Sequence, residues 1–306
     1  MNRAKIEPAP VLRMSMHNKI STLKNRNLRY LFFSMYREFK VAAPLRPYIQ
    51  CIWMVKASTG AFDVPQRLVP DGNIECMFNY GHSFAQAWSN GSNNVSVYKG
   101  SCLVGQRPAY YFTSATGQVD LVSISFKPGG LSPFIHQPVA DLTGSTVPLS
   151  LLNNYLFLEI EERMAGIGAI DERIRLIENI LIKKLYDNRD KLESVDRFIP
   201  LVHAIKNYTS VAHFLKEHII HERKLQREFD QHVGITPKFL QRVLRFRKAV
   251  AAFYSGPLKN LTALAYDCGY YDQAHFINEF KMLSGLSPKK FLQECSNEPA
   301  SAWLTE

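Results

Sequence analysis

Residues 266–292 read YDCGYYDQAHFINEFKMLSGLSPKKFL, and this stretch decides the fold of the carboxyl-terminal third. Gly269 can take φ > 0 without a Cβ clash and so ends a short helix. Asp272 is placed to accept the free N–H groups that open the next helix. Phe276 and Phe280 then fall at i and i+4, on the face that packs against the preceding helix, and the opposite face is left free. Gly285 stops this helix, and Ser287 caps a further one with Pro288 in its first turn. Two helices joined by a tight turn, the second with one buried and one polar face, follow the helix-turn-helix plan. Such a helix fits the major groove of B-DNA and its early side chains reach base edges.

The same arrangement stands once more upstream, in VAHFLKEHIIHERKLQREFDQHVGITPKF at 211–239. Leu225 and Phe229 match Phe276 and Phe280, and Gly234, Thr236 and Pro237 match Gly285, Ser287 and Pro288. The offset is 51 residues after the turn and 50 before it, so the second copy has one extra turn residue. A plain helical bundle explains one such copy as well as a DNA-binding unit does; two copies on a basic background favour DNA.

The basic background is uneven. The net charge of +10 over 306 residues divides into +6 for residues 1–35, zero for 36–195, +6 for 196–295 and −2 for 296–306. A basic globular third is a candidate polyanion binder. Hydrophobic residues make up 46% of the chain and no run approaches the length of a membrane span, which places it among ordinary soluble proteins. The five cysteines are scattered without metal-ligand spacing and read as reduced thiols of a cytoplasmic protein.

Upstream of the repeat the pattern changes twice. Residues 1–35 lack periodicity and read as a disordered basic arm. Residues 36–149 hold short β-prone runs such as YIQCIWMV, IECMFNY and VDLVSISF, cut by turn signals at PDGN (70–73), SNGSNN (89–94) and PGG (128–130). They predict a compact, mostly antiparallel β domain. Residues 150–194 carry a helical stripe of Ile170, Ile174, Ile177, Ile180, Leu181 and Leu185, a connector or a dimerisation helix. Residues 195–295 stay helical, and 296–306 form a tail. The fold class is α+β: an antiparallel β domain, a helical connector, and an all-α domain with two helix-turn-helix units.

Residues 196–293 resemble the DNA-binding domain of the AraC/XylS family of bacterial transcriptional regulators. Ala265, Gly269, Tyr270, Asp272, Gln273, His275, Phe276, Phe280, Lys281, Gly285, Ser287 and Pro288 stand where that family's signature puts such residues. The resemblance implies two units joined by a long helix, Pro237–Tyr254, that enter successive major-groove segments about one helical turn (~34 Å) apart. The first copy departs from the family pattern. Leu215 replaces a small residue, Ile219 a glycine and His221 a Ser-type cap, which predicts an altered first turn. Pro200 falls inside the first helix and predicts a kink. The runs YREFKVAAPLRPYIQCIWM, LVPDGNIECMFNYG and VSISFKPGGLSPFI resemble a small domain of unknown function found ahead of this DNA-binding domain in some bacterial regulators. Its proline-aspartate-glycine turn is Pro70, Asp71 and Gly72, and its phenylalanine-x-proline-glycine step is Phe126, Pro128, Gly129 and Gly130. That resemblance begins at Met35, and residues 1–34 have no counterpart in it.

Carried over by position, the base-contacting residues are Arg223, Gln226 and Arg227 in the first unit and Gln273, Ala274, His275 and Asn278 in the second. Arg and Gln can pair bidentately with guanine or adenine, and Ala274 offers only apolar contact. His275 has a competing reading as a structural residue beside Phe276. Lys238, Arg242, Arg245, Arg247, Lys281, Lys289 and Lys290 suit phosphates, as do the helix N-termini at Thr236 and Ser287. In the β domain, Trp53, Glu75, Phe78 and Phe126 are candidates for a ligand pocket, with core packing the competing reading for the aromatic three.

These residues point to a sequence-specific transcriptional regulator of the bacterial cytoplasm. Its partner is double-stranded DNA, with RNA polymerase added if it activates. A small-molecule effector and a homodimer are compatible with the β domain, and no cofactor, metal or membrane is implied. Two other classes stay open: an interaction module built on a DNA-binding fold, and an enzyme with an activity in the β domain. Against the second, no cysteine sits in the proline-cysteine-histidine motif of DNA-repair methyltransferases, and no G-x-S-x-G, Walker loop, G-x-G-x-x-G or H-E-x-x-H occurs.

Overall fold

The computed structural model describes residues 34–60, 62–63, 65–88, 95–152, 154–207, 210–254 and 260–295. The arm expected over 1–35 lies outside the described residues except for its last two residues, which open a strand instead, and the tail at 296–306 and the SNGSNN segment at 89–94 lie outside them as well.

The β-prone runs form two antiparallel sheets. The strands are β1 (Ser34–Phe39), β2 (Ile49–Ala57), β3 (Gln66–Leu68), β4 (Ile74–Asn79), β5 (Phe84–Trp88), β6 (Val95–Tyr98), β7 (Cys102–Val104), β8 (Tyr111–Ala115), β9 (Val119–Phe126) and β10 (Thr146–Pro148). The first sheet has the order β1-β2-β9-β4-β7-β10 and the second β3-β8-β5-β6. Side chains alternate across the first sheet with period 2. Ile52, Met54, Ile74, Cys76, Phe78, Val122, Ile124 and Phe126 face the helices and make the main core with Phe157, Ile160, Ile177 and Leu181. Val55, Cys102, Val104 and Val119, with Trp53, Met77 and Leu121, face the second sheet and meet its Phe84, Tyr98 and Ala115. The domain therefore has three layers: helices, first sheet, second sheet.

The connector is a helix pair, α1 (Tyr155–Ala165) and α2 (Ile170–Asp187). The predicted stripe of α2 is its buried face from Ile174 to Leu185, with Ile170 half-buried at its start. Helix α3 (Arg189–Ala204) starts directly after Asn188 and runs across the boundary expected at 194/195, so connector and DNA-binding part share one helix. Pro200 sits inside α3. Six further helices follow: α4 (Val211–His218), α5 (Glu222–His232), α6 (Pro237–Tyr254), α7 (Leu261–Asp267), α8 (Gln273–Ser284) and α9 (Pro288–Cys295). They build two small cores. Phe214, Leu225, Phe229, Val233 and Leu240 form one with Phe198 and Val202 of α3, and Phe246, Phe253, Phe276, Phe280 and Phe291 anchor the other.

The β domain docks on this helical part at three places. Thr143 Oγ1 donates to the Gly234 carbonyl at 2.5 Å, and Ser132 Oγ lies 2.6 Å from His232 Nδ1. Arg67 Nη1 donates to the Ser284 carbonyl at 2.9 Å while its guanidinium stacks over Tyr110 and Phe112. Between these, Arg247 Nη1 donates to the Asp71 carbonyl at 3.1 Å, and Gly72 faces Leu240 and Val243. The approach at Gly234 and Gly285 leaves no room for a side chain. A Cβ would lie 2.8 Å from Thr143 Oγ1 at the first and 2.4 Å from the Tyr110 ring at the second. Both residues also hold positive φ, 88° and 76°.

Candidate nucleic-acid interface

Each half of the repeat folds as the pattern dictates. In the second unit Asn260 Oδ1 accepts from Thr262 N at 2.8 Å to open α7, and Asp272 Oδ1 accepts from His275 N at 2.7 Å to open α8. Gly269 takes φ 83° between them, which lets Tyr270 N reach back to the Ala265 carbonyl at 2.9 Å. In the first unit Ser210 Oγ caps α4 at 3.2 Å. Ile219 holds φ 52° and ψ 46°, and Ile220 N reaches the Leu215 carbonyl at 3.1 Å. The turn expected to be altered thus keeps the backbone that glycine would give. Ile219 is the single described non-glycine residue at positive φ, and its side chain points to solvent, 92% exposed. The left-handed conformation costs a β-branched residue ~1–2 kcal/mol. His221, at the N-cap of α5, makes no side-chain cap bond, as its replacement of a Ser-type cap predicts.

The inward faces are those the spacing predicts: Leu225, Phe229, Phe276 and Phe280 are buried. On the outward face of α5, Arg223 and Arg227 are exposed, and Gln226 donates to Asp230 at 2.7 Å along the same helix. On α8, Ala274, His275 and Asn278 are exposed. Gln273 is half-buried, and its Oε1 accepts from Thr262 Oγ1 at 2.7 Å, which ties it back to α7. His275 stacks edge-on against Tyr270 and lies 3.7 Å from Glu279, in keeping with its structural reading.

The basic residues separate into two groups. Lys238, Lys281, Lys289 and Lys290 are exposed; Lys290 pairs with Glu294 at 3.6 Å. Thr236 Oγ1 caps α6 and Ser287 Oγ caps α9, accepting from Phe239 N at 3.1 Å and Lys290 N at 3.4 Å. Arg242 and Arg245 instead turn inward to Glu279, at 2.9 Å and 3.2 Å. Glu279 is a buried carboxylate, and removing it from water demands paired cations. Arg242, read from sequence as a phosphate contact, is therefore a strut between α6 and α8. Arg247 is likewise committed to Asp71. Sequence reasoning missed Glu279 altogether, although an acid at the inward register of an otherwise apolar helix face was its signal.

The four pocket candidates fall into two separate pairs. Trp53 and Glu75 face the second sheet, and Trp53 Nε1 donates to Glu75 Oε2 at 3.0 Å. Phe78 and Phe126 lie fully buried on the opposite face, against the helices. They are core, because residues an odd number apart on one strand point to opposite faces. Ser123 Oγ also donates to Glu75 at 2.5 Å, and burial pushes the Glu75 carboxyl up to about 7.

Comparison with known proteins separates the two parts of the chain. A helix-turn-helix domain model matches residues 216–294, the span from the end of α4 to α9. The chain carries an AraC-type helix-turn-helix domain. Residues 37–148 match a domain of unknown function, DUF6597, which covers both β-sheets except the first three residues of β1. Among solved structures, the chain is similar to ToxT from Vibrio cholerae at 10% identity, over 86% of this chain and 98% of that one, with a TM-score of 0.43. A fatty-acid-bound ToxT from Vibrio cholerae strain SCE256 is similar at 12% identity, over 85% and 94%, with a TM-score of 0.40. Iron(II) HppE is similar at 14% identity over 31% of this chain and 50% of that one, with a TM-score of 0.25. No curated protein matches. No helix among the described residues is long and apolar enough to cross a membrane.

Proposed function

We propose that this AraC-type domain makes the chain a sequence-specific DNA-binding transcriptional regulator whose two units read adjacent major-groove segments. The observation that carries the reading is the pair of outward faces. Arg223 and Arg227 on α5, and Asn278 on α8, stay exposed, while the matching inward positions are fully buried. Arg223 and Arg227 suit guanine edges and Asn278 suits adenine. Gln226, Gln273 and His275 reach bases only on leaving the partners they now hold, and Ala274 contributes apolar contact. Lys238, Lys281, Lys289 and Lys290, with the helix N-termini at Thr236 and Ser287, meet phosphates. The β domain senses a small-molecule signal, which must bind the two conformational states with different affinity. As an activator the protein also contacts RNA polymerase, and its β domain and connector offer surfaces for a homodimer.

Two substitutions test the division of labour. Arg227→Ala weakens binding to a selected site by ~1–3 kcal/mol and relaxes one base position. Lys289→Ala weakens binding to all sequences alike and flattens the salt dependence. Equal losses on specific and random duplexes for Arg227→Ala, measured by fluorescence anisotropy, contradict base readout; an unchanged salt slope for Lys289→Ala contradicts phosphate contact.

A further inference from the structure

We infer that the cleft between the two sheets of the amino-terminal domain binds a small organic cation with an apolar body, held by the Glu75 carboxylate and the side chains of Trp53, Met77 and Leu121. The inference deepens, and for its regulatory purpose rests on, the sensing role proposed for this domain.

Glu75 is out of place by the logic of the sandwich. It lies on the inner face of β4, whose neighbours there are Met77 on its own strand and Val104 across the ladder. Its hydrogen-bond partners, the Trp53 indole and the Ser123 and Ser125 hydroxyls, are neutral, and among the described residues no lysine or arginine forms an ion pair with it. Neutral donors orient a carboxylate but leave its charge unbalanced. The surrounding apolar side chains are also incompletely covered. Trp53, Met77, Leu121 and Tyr98 all point between the sheets yet stay half-buried, so the second sheet does not close over them. Tyr36 lies 6.1 Å from Trp53, ring to ring, and is 42% exposed at the edge strand. A carboxylate beside aromatic faces that water can reach is the chemistry that recognises an ammonium or guanidinium on an apolar frame.

The position of the cleft gives such binding a consequence. The second sheet holds the second helix-turn-helix unit through Arg67 and Ser284. Segments attached to the first sheet hold the first unit through Thr143 and Gly234. The Pro70-Asp71-Gly72 crossover, which passes from β3 of one sheet to β4 of the other, rests on α6 between the units. A ligand that changes the separation of the sheets therefore changes the relative placement of the two recognition helices.

The binding depends on pH. The ionisable groups around Glu75 are Asp71 on the crossover, Cys51 on β2, Tyr36 and Glu38 on β1, where Glu38 lies across from Trp53, and Tyr111 on β8, with Arg107 behind Tyr111. Burial raises the Cys51 thiol to about 12 and the two phenols higher still, so these stay neutral between pH 6 and 8. The Glu75 carboxyl, raised to about 7, is the group that titrates, and its charged form is the one that attracts a cation.

The test uses the full chain and calorimetric titration with tetraethylammonium, benzyltrimethylammonium and phenethylamine, beside phenylacetate and phenethyl alcohol as anionic and neutral counterparts. At least one cation is expected to bind, about tenfold more tightly at pH 8 than at pH 6, and to lose tenfold or more in affinity in Glu75→Gln. No binding by any cation, equal affinity at the two pH values, an unchanged affinity in Glu75→Gln, or tighter binding of phenylacetate each overturns the proposal. DNA binding by the ligand-free chain is measured separately by gel shift, so a failed cation titration with intact DNA binding counts against this site and not against the regulator reading.

Discussion

The two helix-turn-helix units are built from one repeat but stabilised differently. The second closes by rules that act within a few residues: Gly269 at the left-handed position, Asp272 as cap, and Glu279 as a buried hub for Arg242 and Arg245. The first lacks the glycine and the cap: Ile219 holds the left-handed position and His221 supplies no cap bond. Its residue at the register of Glu279 is again a glutamate, Glu228, but that side chain is only half-buried and pairs with His232 and Arg227 of its own helix rather than with arginines of α6. The first unit leans on its neighbours instead. Phe198 of α3 meets Phe229 edge-on, with ring centroids 5.5 Å apart, and His232 is held between Ser132 and Glu228. The second unit is closed mainly from within itself and α6, with Arg67 of the β domain added at Ser284; the first draws on α3 and on the β-domain segments at Ser132 and Thr143.

The comparison is broken most severely at Glu279. Glu279→Ala strands two arginines that are about a quarter exposed and is expected to cost ~2–3 kcal/mol in urea denaturation, with hydrogen exchange accelerated in α8 and α9 but not in α5. A loss spread evenly over both units contradicts the contrast. The caps come next. Asp272→Ala is expected to cost ~1 kcal/mol, and His221→Asp to add about as much, because only the first unit lacks a cap. The smallest effect is at the turn, where Ile219→Gly is expected to stabilise by ~0.5–1 kcal/mol as the relief of left-handed strain outweighs the added chain entropy. A destabilised Ile219→Gly variant, read from its denaturation midpoint, shows that Ile219 contributes something its exposed side chain does not reveal.

The sequence carried the local features well. The spacing of Phe276, Phe280, Gly285 and Ser287 is enough to place α8 and α9, and the copy at Leu225, Phe229 and Gly234 places α5, because helix periodicity and capping act over a few residues. The failures are long-range. Arg242 looks like a surface cation until Glu279, 37 residues away, is brought beside it. Nothing local tells that Gly234 and Gly285 leave space for Thr143 and Tyr110 as well as turning the chain. The grouping of Phe78 and Phe126 with Glu75 and Trp53 was avoidable, since strand alternation alone puts residues 75 and 78 on opposite faces. Helix α3 crosses the boundary expected at 194/195 because the helical pattern runs through it without a break, and only the start at Arg189 after Asn188 divides it from α2.

Hydroxyl-radical footprinting of the full chain on a duplex selected from random sequence tests the central claim most directly. The proposal that both recognition helices enter one face of the duplex predicts two protected patches on that face, centred about one helical turn (~10 bp) apart, with Arg227→Ala weakening one patch more than the other. A single patch, or two patches on opposite faces of the duplex, contradicts the account.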